Sequence, residues 1–312
     1  MKNIKKRLKM FSFEKNAVKI DDLSIEKTEF LIKDFLVKEA ITMIYGAASQ
    51  GKTWFMYALT KHLLDNNSIK KAFYIDMDNG KRQLKDRGAD KNLLIYPSLR
   101  YIIKSTISIS PFELIEEINK SAYGQNYKDI LFVFDSTRDF VDTKNDKQAK
   151  LFMEKMKNIR EAGGTVLLIH HATKSGRYID GSAEFPRSAD NVYELKQKIR
   201  SGSVLHYALN VENDRDPIKD MSFSVNTKTF ILKQEDDTFV KLSLQEEEFV
   251  KSILKELEIE PLNQTKLFAK IGKKRDDKTA RKMLDKFTDI FWHFKINGRE
   301  KLYYPGEKHA KN

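Results

Sequence analysis

The residues with the most chemistry in their spacing are Gly46, Ala47, Ala48, Ser49, Gln50, Gly51, Lys52 and Thr53. A glycine, four residues, then glycine, lysine and threonine is the spacing of a phosphate-binding loop, provided a buried strand precedes it and a helix follows. Glycines let backbone N–H groups turn inward toward phosphate oxygens, and the following helix offers its positive end to the same anion. Lys52 supplies a point charge for the β- and γ-phosphates, and Thr53 offers a hydroxyl to Mg²⁺. With Trp54 next in the helix, residues 46–54 are therefore expected to line a site for ATP and Mg²⁺.

Three further positions complete the chemistry. Asp135 closes the apolar run Ile130 to Phe134, where a carboxylate can hold the water shell of the Mg²⁺. Hydrolysis needs a group that orients the attacking water. Asp78 is the candidate, because it ends a strand expected beside the loop strand; Asp76, two residues earlier, points to the same side. His170, first of the pair His170-His171, is placed to sense the γ-phosphate. The chain has no cysteine, so a thiolate metal site is excluded, and no histidines have ligand spacing.

These residues need a scaffold that brings them to one place. Ile41 to Tyr45 reads as a buried strand, and Lys52 to Leu64 as a helix with Phe55, Ala58, Leu59 and Leu63 on one face. Strands follow at Ala72–Ile75, Ile130–Phe134, Thr165–Ile169 and Asn191–Leu195. Helices at Pro111–Lys120 and Lys147–Ala162 alternate with them. Strands that are apolar on both faces, interleaved with helices, predict an α/β fold with a parallel sheet covered on both sides. Ligands of such sheets sit beyond the carboxyl ends of the strands, where Gly46, Asp78, Asp135 and His170 all lie. Val204–Val211, Met221–Val225 and Thr229–Lys233 read as antiparallel strands at the sheet edge.

Residues 234–242 read as a linker with a polar stretch, Gln234 to Asp237. Beyond it, Ser243 and Glu246 make a capping box ahead of Phe249, Val250, Ile253, Leu254 and Leu257. Asn263 can cap a short helix, and Asp276 or Asp277 a third one carrying Ala280, Met283, Leu284 and Phe287. Asn297-Gly298 between two aromatic-rich runs is a strong hairpin signal. Three helices and a hairpin are the plan of a winged helix-turn-helix. The chain is thus expected to divide into a basic arm (1–27), an α/β domain (28–233), the linker (234–242) and a winged-helix domain (243–312).

The motifs resemble those of the RecA-like ATPases of the RepA type, hexameric replicative helicases of plasmids and their relatives in mobile elements. Tyr74-Ile75-Asp76-Met77-Asp78-Asn79 is similar to a family segment that usually carries Glu-Asp, with Asp78 at the glutamate position. Phe134-Asp135-Ser136-Thr137-Arg138-Asp139-Phe140 resembles the Walker B segment. Ile169-His170-His171-Ala172-Thr173-Lys174 resembles the His-His-Thr-x-Lys stretch, and Asp180-Gly181-Ser182-Ala183 the Gly-Ser segment after it. The resemblance covers roughly residues 28–232. It implies a RecA-like core, a ring with nucleotide between subunits, and an arginine supplied in trans. Glu212-Asn213-Asp214-Arg215 is similar to the family's Asn-Arg segment, which makes Arg215 the candidate finger; Arg187 and Arg177 are alternatives.

The charge balance agrees with a polyanionic partner. The chain of 312 residues carries a formal net charge of +12, and residues 1–20 hold seven of its cations, Lys2 to Lys19, against Glu14 alone. Around the third C-terminal helix, Lys274, Arg275, Lys278, Arg281 and Lys282 could face nucleic acid, with Arg299 from the hairpin. No apolar run approaches the roughly 20 residues of a membrane helix, and no secretory core follows the basic start. The absence of cysteine fits a reducing cytoplasm. The expectation is an ATP-hydrolysing protein on single-stranded DNA, a ring-forming replicative helicase. The alternatives are a non-motor DNA-binding ATPase such as a recombination mediator, or an ATP-gated regulator of transcription or partition.

Overall fold

A computed structural model describes residue 17 and residues 27–122, 126–176, 178–298 and 300–306. The basic arm, Arg177 and Arg299 lie outside the described residues. A two-stranded lead-in, β1 (Phe30–Ile32) and β2 (Leu36–Val37), precedes β3 (Ile41–Gly46) and α1 (Lys52–Asp65). Then come β4 (Lys71–Asp76), two short helices α2 (Lys81–Asp86) and α3 (Ala89–Asn92), β5 (Leu99–Ile103) and α4 (Pro111–Ala122). β6 (Ile130–Asp135), α5 (Asp146–Glu161), β7 (Thr165–His171) and α6 (Glu184–Ser188) follow. The strands β8 (Asn191–Ser201), β9 (Val204–Asp214), β10 (Met221–Asn226) and β11 (Ile231–Glu235) close this part.

These strands form one sheet in the order β11-β10-β9-β8-β3-β7-β6-β4-β5. The six from β8 to β5 are mutually parallel, and β8 to β11 run as an antiparallel meander. The loop strand β3 therefore lies between β7 and β8. The strand carrying Asp76 is not its neighbour, as the sequence suggested, but is separated from it by β7 and β6. Sheet order is set by crossover connections, which leave no local signal in the chain.

Each central strand is buried on both faces, as its continuous apolar run requires. Along β6, Leu131 and Val133 enter the core under α1, and Phe132 and Phe134 the core under α4 and α5. Helix α5 starts where Asn145 accepts hydrogen bonds from the N–H groups of Lys147 and Gln148. It buries Ala149, Phe152, Met153, Met156 and Ile159 at helical spacing. Burial of such apolar surface, worth about 25 cal/mol per Å², is what holds the layers together.

The C-terminal part comprises α7 (Leu244–Leu257), β12 (Leu262–Asn263), α8 (Gln264–Lys270), α9 (Lys278–Lys286), β13 (Trp292–Asn297) and β14 (Glu300–Pro305). All three helix starts use side-chain caps: Ser243 with Glu246, Asn263, and Asp277 rather than Asp276. Strands β13 and β14 pair as a hairpin, and the short β12, which the sequence did not suggest, adds to β14. Trp292 is fully buried and donates its indole N–H to the carbonyl of Leu284 at 3.0 Å.

The stretch 234–242 is not the simple linker its polarity suggested. β11 extends through Glu235, and Phe239 and Leu242 are buried in the C-terminal core together with Ile199 of β8. Polar composition described only the residues between those two anchors.

Candidate phosphate-binding site

The loop after β3 is held by the chain around it. A Cβ on Gly46 would come within 2.6 Å of the carbonyl oxygen of Leu195 on β8. Gly51 has φ of +71°, and a Cβ there would meet the Tyr207 hydroxyl at 2.5 Å. Both glycines are thus required by strand packing and backbone conformation, beyond any need of a ligand. Tyr207 donates its hydroxyl to the Gly51 carbonyl at 3.0 Å, and the Gln197 N–H donates to the Gln50 side chain at 2.7 Å. Ala48 and Ser49 at the loop tip are exposed, so the cradle is open to solvent.

Lys52 is buried, and its ammonium donates to the carbonyls of Gly46 and Ala47 at 2.8 and 2.9 Å rather than to a carboxylate. Burial lowers its pKa to about 8, against the attraction of Asp135 and with some repulsion from Arg138. A buried cation without a close anion is short of compensation. A phosphate in the loop supplies it. Thr53, next in α1, donates its hydroxyl toward Asp135, so two hard oxygen ligands lie side by side at the strand ends. The residues present therefore fit Mg²⁺ with a nucleoside triphosphate: Thr53 and Asp135 to hold the ion, Lys52 and the loop amides to hold phosphate. Bound there, the ion neutralises developing charge on the phosphate oxygens. Trp54 is engaged elsewhere: its ring packs on Phe230 at 5.6 Å and beneath Arg87 at 5.7 Å.

Asp135 and Asp76 are register partners on β6 and β4, and both are buried. Burial, then the neighbouring Asp76, pushes the Asp135 carboxyl up to about 7, although hydrogen bonds from Tyr74 and Thr53 oppose the shift. Asp76 accepts from the N–H groups of Asp78 and Asn79, the Asn79 side chain and the Tyr101 hydroxyl. Its oxygens are thereby committed to the turn after β4. Asp76 holds that turn, and Asp78 is the carboxylate it leaves half exposed, with Arg138 at 3.5 Å. Tyr57, Tyr74 and Tyr101 pack together between α1, β4 and β5; the Tyr74 hydroxyl reaches Asp135, and the Tyr101 hydroxyl reaches Asp76.

The histidine pair divides its labour because successive strand residues face opposite ways. His170 is buried against Phe185; one ring nitrogen pairs with the Thr137 hydroxyl and the other with the Asp180 carbonyl, at 2.6 Å. Both nitrogens are thus used inside the chain, and His170 fastens the turn after β6. His171 is the one within reach of the charges of Lys52 and Arg138. Burial first, then those cations, lower its pKa to about 4, and its buried Nε2 has no hydrogen-bond partner.

Arg215 is far from the loop of its own chain. Its guanidinium pairs with Asp190 at 3.3 Å and with the Arg187 carbonyl at 2.9 Å, while Asp190 accepts from the N–H of Ile41 at the opening of β3. Gly46 is at the other end of that strand. Among the nucleic-acid candidates, Lys274, Arg275, Lys278, Arg281 and Lys282 are all exposed. Arg281 bonds the carbonyl of Arg275, so it also braces the segment before α9.

Four contributors were not singled out from sequence. Arg138 and Thr137 lie inside the segment that carries Asp135, and their proximity to it was the available signal. Gln197 and Tyr207 sit on meander strands with nothing local to mark them.

No protein-family model and no curated protein sequence matches the chain. Among solved structures, it is similar to an isolated ATPase domain, with 13% identity over 64% of this chain and 86% of that one, at a TM-score of 0.49. It is also similar to the KaiC-like protein PH0186 from Pyrococcus horikoshii OT3, with 12% identity over 67% of this chain and 100% of that one, again at 0.49.

Proposed function

We propose that this chain is an ATP-hydrolysing protein of RecA-like type that acts on DNA as a ring, a replicative helicase of a plasmid, phage or other mobile element. The observation that carries the reading is the convergence of Lys52, Thr53 and Asp135 at one end of the sheet, with Asp78 on the rim. Lys52 and the loop amides bind the phosphates, Thr53 and Asp135 hold Mg²⁺, and Asp78 orients water. Arg215, out of reach of its own loop, serves a neighbouring subunit's nucleotide, and this is what requires a ring, expected to be a hexamer. The C-terminal helices and hairpin act as a winged helix, with Lys274, Arg275, Lys278 and Lys282 toward DNA phosphates.

A second reading, a non-motor DNA-binding ATPase, is favoured by one feature: Asp78 is a short carboxylate already paired with Arg138. ATP turnover of the wild type and Lys52→Ala, without DNA and with single-stranded or forked DNA, separates the readings. A helicase gives turnover stimulated by single strands, strand displacement, and neither in Lys52→Ala. ATP-dependent DNA binding without displacement selects the second reading. No nucleotide binding in any condition refutes both.

A further inference from the structure

Arg138 belongs to neither the phosphate loop nor the proposed trans contact. It sits on the one-turn 3-10 helix Thr137–Asp139 that follows β6. That turn is fixed on three sides. Ser136 donates its hydroxyl to Asp139 at 2.7 Å, the Asp139 N–H returns to the Ser136 carbonyl at 3.0 Å, and Thr137 is tied to His170. The backbone beneath Arg138 is thus held relative to Asp135 three residues earlier, while its side chain is 53% exposed.

Its charge is felt inside the site: it helps to lower the pKa values of both Lys52 and His171. Its own partners are weak. Asp78 is 3.5 Å away and half exposed, and Asp139 is 4.0 Å away. Exposed pairs of this length contribute little to stability. A guanidinium, by contrast, matches a phosphate with two charge-assisted hydrogen bonds. A terminal phosphate entering beside Lys52 offers the better partner.

We infer that Arg138 is the residue of this chain that recognises the third phosphate of its own bound nucleotide, and that its pairing with Asp78 is a latch which that phosphate opens. The inference rests on the phosphate-site reading above and deepens it. In the resting chain Asp78 is occupied by Arg138. Once Arg138 turns to phosphate, Asp78 is free to accept a hydrogen bond from water. The presence of the third phosphate and the readiness of the water-orienting carboxylate are thereby one event.

The test is equilibrium binding of Mg²⁺-ADP and of Mg²⁺ with the non-hydrolysable β,γ-imido analogue of ATP, for the wild type, Arg138→Ala, Arg138→Lys and Asp78→Asn. Arg138→Ala is expected to lose triphosphate affinity by about tenfold or more, the usual loss for a charge-assisted bond, with ADP affinity unchanged. Arg138→Lys recovers part of the loss, and Asp78→Asn binds the triphosphate at least as tightly as the wild type. Equal loss for both nucleotides, or none for either, overturns the inference. The thermal midpoint without nucleotide should stay level in Arg138→Ala; a large fall would show a structural pair instead and also overturn it. Mixing Arg138→Ala with Lys52→Ala subunits should restore no turnover, since the residue acts within its own chain; restoration overturns that assignment. A wild type that binds the triphosphate without hydrolysing it removes the motor reading and leaves this inference to be judged by the affinities. A turning-over enzyme indifferent to Arg138→Ala does the reverse.

Discussion

The backbone N–H of Gln197 is donated to the side-chain oxygen of Gln50 at 2.7 Å, so strand β8 grips the phosphate loop directly. Tyr207, the register partner of Gln197 on β9, grips the same loop at Gly51. The next rung, Ile199 with His206, belongs to the C-terminal part: Ile199 enters its core, and His206 packs on Phe239 and Phe291 at 4.7 and 5.2 Å. Between the rungs the ladder is irregular, and Lys198 pairs with Glu247 of α7 at 3.0 Å. Adjacent rungs of one hairpin thus hold the loop and the C-terminal helices.

The first rung predicts how the loop answers to its supports. Tyr207→Phe removes one hydrogen bond and should cost about 1 kcal/mol of stability, with nucleotide affinity falling several-fold. Gly51→Ala should abolish binding through both the clash and the backbone strain. Combining the two changes removes the clash and leaves the strain, so affinity should return only in part. Calorimetric nucleotide titration decides the matter; full recovery in the double variant would show that the positive φ is unimportant.

The turn under Arg138 predicts a separation of binding from turnover. Thr137→Val keeps the shape of the side chain and cuts its bond to His170. Turnover should fall by about tenfold, corresponding to roughly 1.4 kcal/mol of lost positioning, while nucleotide affinity stays near that of the wild type. His170→Ala should also lower stability by about 2–4 kcal/mol, because it leaves a cavity beside Phe185 and an unpaired carbonyl. Steady-state rates set against equilibrium affinities test this, and parallel losses in both would contradict a positioning role.

His206 predicts a pH dependence of stability. Burial, with Lys233 nearby, lowers its pKa to about 3 in the folded chain, against about 6.5 when unfolded. Above pH 6.5 both states are neutral and the full contribution is present. As pH falls from 6.5 toward 3, only the unfolded chain gains the proton, and stability is lost by on the order of a few kcal/mol. Its buried Nδ1 has no hydrogen-bond partner, so His206→Phe should be tolerated at pH 7 and should flatten this loss. Urea midpoints at pH 7 and pH 5 give the comparison; identical acid sensitivity in the variant would exclude His206 as its source.

The exposed cations before and along α9 predict a salt signature. Lys278→Ala and Lys282→Ala should each weaken DNA binding for all sequences alike and lower the log–log salt slope by about one unit. Circular dichroism should be unaltered, since both side chains are exposed. An unchanged slope would place DNA elsewhere on the molecule.

What the sequence determined by itself was whatever chemistry is local along the chain. The phosphate loop lies between an apolar run and a helical stripe. Asp135 closes another apolar run. Ser243, Asn263 and Asp277 cap helices from three or fewer residues away, and Asn297-Gly298 turns a hairpin. Short-range hydrogen bonds and φ preferences decide such features, and neighbouring residue types record them. The tertiary structure alone decided that β7 and β6 stand between the loop strand and the strand of Asp76, that His170 faces inward while His171 faces Lys52, and that Arg138 meets Asp78 across 60 residues of chain. It alone sent Arg215 to the far end of β3 and buried Phe239 and Leu242 of a polar-looking stretch. Those outcomes depend on which strands pair and which faces pack, and that choice is made by the whole core rather than by any segment of it.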